Sequence, residues 1–228
     1  MPLVPVNLLA FLGGVLPALI WLFFWLMEDR CEPEPKRYIL FSFLLGMVAV
    51  VPALYFEQLA STFLPMSLGL LLVWAFVEEI TKYGAAYLGA LRSSAFDEPI
   101  DAVIYLATAA LGFSAAENIL FLWKPLAEHD YLRSIIMGDL RFMGASLLHV
   151  VASVTIGLGL ALSYHKPRAT RFLYALLSVI LAVALHTIFN FFIIQGTSEI
   201  VWIFMCVWIG VIAALLMTER VKEPKDYC

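Results

Sequence analysis

The sequence predicts an all-α polytopic membrane protein of about seven spans, and three observations predict it. Hydrophobic residues make up 63% of the chain, with a mean hydropathy of +0.92. Charged residues make up only 14%, where a soluble domain carries roughly 25%. The apolar residues also fall in long runs separated by short polar segments, the pattern of membrane-crossing helices. A chain of 228 residues holds several spans of about 20 residues and little else. Residues 1–228 therefore read as a single integral membrane domain.

The spans fall at 3–27, 38–55, 66–90, 100–122, 140–163, 172–194 and 199–218. No Lys or Arg precedes the first run, and the run is long, so it reads as a retained span and not a cleaved signal peptide. Glu32-Pro33-Glu34-Pro35-Lys36-Arg37 forms the clearest polar loop and separates the first two spans. Segment 124–139 is short enough for an interfacial helix between spans four and five. Helices are expected throughout, because backbone groups in lipid must be satisfied within each span.

Orientation follows from basic residues in the loops. Arg30, Lys36, Arg37, Arg92, Lys166, Arg168, Arg171, Arg220, Lys222 and Lys225 flank one side, against Lys124, Arg133 and Arg141 on the other. That ratio of ten to three places the N-terminus outside and the C-terminus in the cytoplasm. The net charge of −4 and pI near 5.5 present no basic surface, so nucleic acid is excluded as a partner. Cys31, Cys206 and Cys228 are scattered and odd in number, which argues against a disulfide framework or a zinc knuckle.

Function is expected from the side chains that hydrophobicity alone would forbid. Span three contains Val77-Glu78-Glu79-Ile80-Thr81-Lys82. Each acid or lysine at a helix centre costs about 2.5–3.5 kcal/mol on insertion scales, so Glu78, Glu79, Lys82 and Glu117 must face the bundle interior. Glu78 and Lys82 are four apart and share a helix face, whereas Glu79 lies about 100° away. Glu117-Asn118 in span four, His149 in span five and His186 with Asn190 in span six add acid, base and amide groups. A rise of ~1.5 Å per residue from the cytoplasmic ends puts Glu78, Glu79, His149 and His186 near ~18–21 Å depth, with Glu117 near ~26 Å and Lys82 near ~13 Å.

Such a slab suits water-mediated amide hydrolysis. A buried glutamate can act as general base, and imidazole and amide groups can donate to a developing oxyanion. No His-Glu-x-x-His pair is present, but His149, His186 and a glutamate are acceptable zinc ligands. Metal, if bound, would fall to His149, His186, Glu79 and Glu117. Carriers also use intramembrane acids and histidines as proton relays, so a proton-coupled transporter is the reading from a different class, although no internal repeat supports it. The loop Phe96-Asp97-Glu98-Pro99-Ile100-Asp101 reads as a helix start, with Asp97 as N-cap and Pro99 in the first turn.

Taken in order, these segments resemble the PrsW family of intramembrane proteases, relatives of the CAAX prenyl endopeptidase superfamily. The pieces are Glu78-Glu79-x-x-Lys82, Phe96-Asp97-Glu98-Pro99-x-Asp101, Gly112-Phe113-x-x-x-Glu117-Asn118, then His149 and His186-x-x-x-Asn190, within a core of about 66–195. Ala102 and Ser114 stand where the family commonly has glycine and alanine. The resemblance implies an intramembrane endopeptidase of a plasma membrane. It would cleave a membrane-anchored protein, of the anti-sigma-factor kind, near the outer face. Glu78, Glu79, His149, His186 and Asn190 would be catalytic, supported by Lys82, Glu117, Asn118, Asp97, Glu98 and Asp101. A glutamate-activated water and a zinc site using the same residues stay open, as does which of Glu78 and Glu79 is the base.

Overall fold

A computed structural model describes residues 5–195 and 200–223, and it is helical throughout with no strand among the described residues. Residues 3, 4 and 199 of the expected spans and Lys225 lie outside the described residues. The helices are α1 (Val6–Leu26), α2 (Lys36–Phe63), α3 (Leu68–Ala86), α4 (Asp101–Ala127), α5 (Tyr131–Leu140), α6 (Ser146–Leu162), α7 (Arg168–Gln195) and α8 (Ile200–Val221). A π-helical turn, Tyr87–Leu91, extends α3, and a second, Arg141–Ala145, joins α5 to α6.

Six of the described helical stretches are long and apolar enough to cross a membrane, with α5 and α6 counted as one continuous stretch, Tyr131–Leu162. The remaining helix, α3, carries Glu78, Glu79 and Lys82. It packs against α2, α4, α6 and α7, so its charges are enclosed by protein. Large apolar side chains such as Phe23, Val51, Phe172 and Val201 stand exposed on the outer surface. An apolar exterior around a polar centre is the arrangement a bilayer demands, and the chain is a multi-pass membrane protein.

Helix α4 is the central post. Every residue from Asp101 to Ala115 is buried, and α1, α2 and α6 pack around it. Small side chains allow that closeness, as is usual where membrane helices touch. At the α2–α4 crossing, a Cβ on Gly112 would fall 2.0 Å from the Phe43 carbonyl oxygen, and one on Gly46 would fall 2.1 Å from that of Ala109. Only glycine fits at either place.

Local signals set the helix ends. Ser67 caps α3 by accepting from the Leu70 N–H at 3.3 Å. His129 takes a left-handed φ of 57°, which turns the chain sharply into Asp130, the N-cap of α5. The segment 124–139, expected to hold a short interfacial helix, is instead divided between the end of α4 and α5, which runs on through the second π turn into α6. Helix α2 runs eight residues past its expected end at 55, and α4 five past 122, because helices continue beyond the apolar run where polar side chains have protein or interface to face. Span four starts within one residue of the expected 100, but its expected cap is corrected. Asp97 does not cap it. The helix begins at Asp101, whose own carboxylate Oδ2 accepts from the Asp97 and Glu98 N–H groups at 2.9 and 2.7 Å. Cys206 is a free, exposed thiol.

Candidate active site

The polar residues of four helices meet in one cluster. Helix α3 supplies Glu78, Glu79 and Lys82, α4 supplies Glu117 and Asn118, α6 supplies His149, and α7 supplies His186. Glu79, Lys82 and His186 are at most 1% exposed, and His149 and Glu78 are buried.

Each imidazole is fixed by a carboxylate behind it. His186 Nδ1 lies 2.7 Å from Glu79 Oε1. Because an ionised carboxylate only accepts, Nδ1 carries the proton and Nε2 keeps its lone pair. His149 Nε2 lies 2.8 Å from Glu117 Oε2 and donates there by the same reasoning, leaving the Nδ1 lone pair. Both lone pairs turn toward Glu78. Its Oε2 is 3.7 Å from His186 Nε2 and 3.6 Å from His149 Nδ1. That oxygen is buried and has no hydrogen-bond partner among the described residues.

The sequence suggested a Glu78–Lys82 pair and a Glu79 free to point elsewhere. The geometry keeps the Glu78–Lys82 pair as the longer contact and corrects the second expectation, because Glu79 turns to Lys82 as the closer partner. Lys82 Nζ sits 2.5 Å from Glu79 Oε1 and 3.9 Å from Glu78 Oε2. Spacings of three and four both bring helix residues together, and Glu79 is further held by His186 and by the Ser153 hydroxyl at 3.1 Å. Lys82 Nζ also donates to His149 Nδ1 at 2.9 Å and lies 5.0 Å from the Phe113 ring centroid, a cation–π placement.

Arg141 closes the cluster from the second π turn. Its Nη2 donates to Glu117 Oε2 at 2.6 Å, and its Nε donates to Asn118 Oδ1. Asn118 in turn donates to Ser146 Oγ at 3.1 Å. Asn118 is thus a bracket for Arg141. The expected role of the histidines as oxyanion donors is not supported, since each N–H is committed to a carboxylate. Asn190 lines the same cavity as Glu78, His149 and His186 without a hydrogen bond to the cluster, so its amide remains available.

Three atoms, one each from Glu78, His149 and His186, lie within 4.8 Å of one another and form a group able to hold a metal ion. The set differs from the expected one. Glu79 and Glu117 stand behind the imidazoles instead of beside Glu78. Asp97, Glu98 and Asp101 are also not brought to the cluster. Asp101 opens α4, 16 residues or about 24 Å of helix from Glu117, and joins Glu34 and Asp29 at the other end.

Sequence reasoning missed Arg141, Ser153 and Glu57. Arg141 was counted as a loop charge. Ser153 lies four residues after His149, a spacing that shares a face and was legible. Glu57 fell just beyond the expected end of span two, yet it lines the cavity. That cavity is about 520 Å³ in volume, and Leu120, Phe121, Leu148 and Phe189 make much of its wall apolar.

A helical bundle that seats a carboxylate between two imidazoles, beside an apolar cavity, fits the class of intramembrane peptidases. The sequence model of the PrsW family intramembrane metalloprotease matches residues 34–217, and the chain belongs to the PrsW family. Protease PrsW of Bacillus subtilis (strain 168) is 26% identical over 200 residues, covering 84% of each chain. Protease PrsW of Oceanobacillus iheyensis is 28% identical over 225 residues, covering 92% of this chain and 95% of that one. The Geobacillus kaustophilus protein of the same name reaches 32% identity over 127 residues, 54% of this chain. No solved structure matches.

Proposed function

We propose that this intramembrane protease is a zinc enzyme. In this reading it hydrolyses a peptide bond of a single-span, membrane-anchored protein, with Glu78, His149 and His186 as the zinc ligands. The carrying observation is the unpartnered Glu78 Oε2 facing two imidazole lone pairs at 3.6–3.7 Å. The Lys82 ammonium reaches His149 Nδ1 at 2.9 Å but stays 3.9 Å from Glu78 Oε2, so that buried oxygen is left without a donor, a costly state that a bound cation relieves. Two histidines and a glutamate are a recurring catalytic zinc set. A zinc ion held there supplies Lewis acidity toward water and the scissile carbonyl.

The remaining steps fall to the chain itself. Glu79 and Glu117 hold each imidazole in one tautomer, the outer-shell arrangement that fixes metal-ligating histidines. Arg141 and Asn118 hold Glu117 in turn. Glu79 and Glu117 are each tied by two or more donors, so proton transfer from water to the leaving amine is assigned to Glu78, through the carboxylate oxygen that would not hold the ion. Asn190 would donate to the oxyanion, and the apolar cavity wall would take the substrate's side chains. All these groups lie within 66–195.

A second reading, a glutamate acting without metal, is favoured by one contact: Lys82 Nζ occupies the His149 Nδ1 lone pair. For zinc to bind, Lys82 must release that atom, which its tighter pair with Glu79 permits. The proton-coupled transporter reading has no support from the family to which the chain belongs.

The basic-residue count supports an N-terminus outside and a C-terminus in the cytoplasm of a plasma membrane. The cluster would then lie toward the outer half, where a site-1 cut of an anti-sigma-factor-like substrate falls. The test is cleavage of a single-span reporter in liposomes by wild type and Glu78→Gln, with and without chelator. Loss in the variant, and loss on chelation that zinc restores, support the zinc reading. Cleavage indifferent to chelator moves the assignment to the metal-free glutamate, and cleavage by a folded Glu78→Gln protein overturns both.

A further inference from the structure

A second group of acids gathers where hydrolysis makes no use of it. Asp29 ends a 3₁₀ turn after α1, Glu34 lies in the loop before α2, and Asp101 opens α4. One carboxylate oxygen from each lies within 4.8 Å of the others. Asp29 and Asp101 are 6% and 2% exposed.

The arrangement is fixed from outside. Asp101 Oδ2 accepts from the Asp97 and Glu98 N–H groups, and the Tyr105 hydroxyl donates to Glu34 Oε2. Asp29 Oδ2, however, is buried and has no hydrogen-bond partner among the described residues. The nearby ammonium of Lys222 is engaged by Glu28 at 2.9 Å and by Glu219. An unmet buried carboxylate oxygen beside one buried and one half-buried acid is costly unless a positive charge joins it. A cavity of about 520 Å³ that Asp29 helps to line gives a hydrated ion a way in.

We propose that Asp29, Glu34 and Asp101 bind a hard divalent cation, and that Ca²⁺ fits better than Mg²⁺. An all-carboxylate set selects against softer metals. Oxygens up to 4.8 Å apart span two Ca–O bonds of about 2.3–2.6 Å, whereas bonds of about 2.0–2.1 Å to Mg²⁺ require the site to contract. Water from the cavity completes the six to eight ligands Ca²⁺ takes. The bound ion would pin the loop between α1 and α2 to the start of α4, the central post whose far end carries Glu117. A proton is the rival way to relieve the same charge: burial, and then Asp101, push the Glu34 carboxyl up to about 9.

The test is equilibrium dialysis of the full-length protein in detergent against Ca²⁺ or Mg²⁺, with bound metal counted by mass spectrometry. One Ca²⁺ per chain is expected at about 10⁻³ M or below, with weaker Mg²⁺. Asp29→Asn and Asp101→Asn should weaken binding at least tenfold, and Glu78→Gln should leave it unchanged. If the aspartate variants do not fold, Glu34→Gln in the half-buried loop carries the same expectation. No bound Ca²⁺ in wild type at that concentration would mean protons alone serve the cluster, and the proposal fails. Binding lost in Glu78→Gln but kept in Asp29→Asn or Glu34→Gln overturns it equally.

Discussion

Glu78 Oε2 faces His186 Nε2 across 3.7 Å with no donor of its own, while the next residue, Glu79, grips the other nitrogen of the same ring at 2.7 Å. Two adjacent glutamates thus serve one histidine from opposite sides. Their substitutions should separate cleanly.

Glu78→Gln removes the one carboxylate in the cluster with a free oxygen, and no pair of charges is broken tightly by its loss. Turnover of a reporter should fall by about 10²–10⁴-fold, the contribution of a positioned acid–base group. Folding should survive, read as an unchanged elution profile and thermal midpoint.

Glu79→Gln and Glu117→Gln should behave differently. Each loosens the support of an imidazole, for which zinc affinity falls by about 10–100-fold in comparable sites. Glu79→Gln also leaves Lys82 buried without its 2.5 Å partner, at about 3–5 kcal/mol. A zinc titration paired with thermal unfolding would show weaker binding in both variants and marked destabilisation in Glu79→Gln alone.

Asn190→Ala tests the amide left without a partner. Loss of one oxyanion donor lowers kcat by about 10²–10³-fold, while KM for the reporter and zinc content should stay close to wild type. A variant with full kcat would remove Asn190 from the chemistry.

The close crossing of α2 and α4 predicts sharp intolerance. Gly112→Leu must displace the Phe43 carbonyl, which lies 2.0 Å from a Cβ at that position. Folded protein should be lost from the membrane fraction. Gly84→Ala is the matched control: nothing lies within 4 Å of its added Cβ, and alanine favours a helix over glycine by about 1 kcal/mol. Its thermal midpoint should hold or rise.

Much of this was legible because membrane chains expose their exceptions. In an apolar span, Glu78, Glu79 and Lys82 admit few readings, and the similar estimated depths of His149 and His186 anticipated their meeting. Which atom faces which was not legible. The closer approach of Lys82 to Glu79 than to Glu78 depends on Ser153 and His186 arriving from other helices. The place of Arg141 depends on a π turn, which shifts side-chain register without a sequence signal. Glu57 was lost because apolar runs were ended at the first charge. The Asp97–Asp101 segment reads locally as a helix start, and it took the backbone to show Asp101 capping the loop that precedes it.

The most direct test of the central claim is the zinc content per chain of a preparation that cleaves the reporter, measured by mass spectrometry beside His149→Ala and His186→Ala. The account predicts about one zinc per wild-type chain, the tight occupancy of a His₂Glu site, and loss of both zinc and cleavage in each variant. Full cleavage by a wild-type preparation that contains no zinc would contradict it.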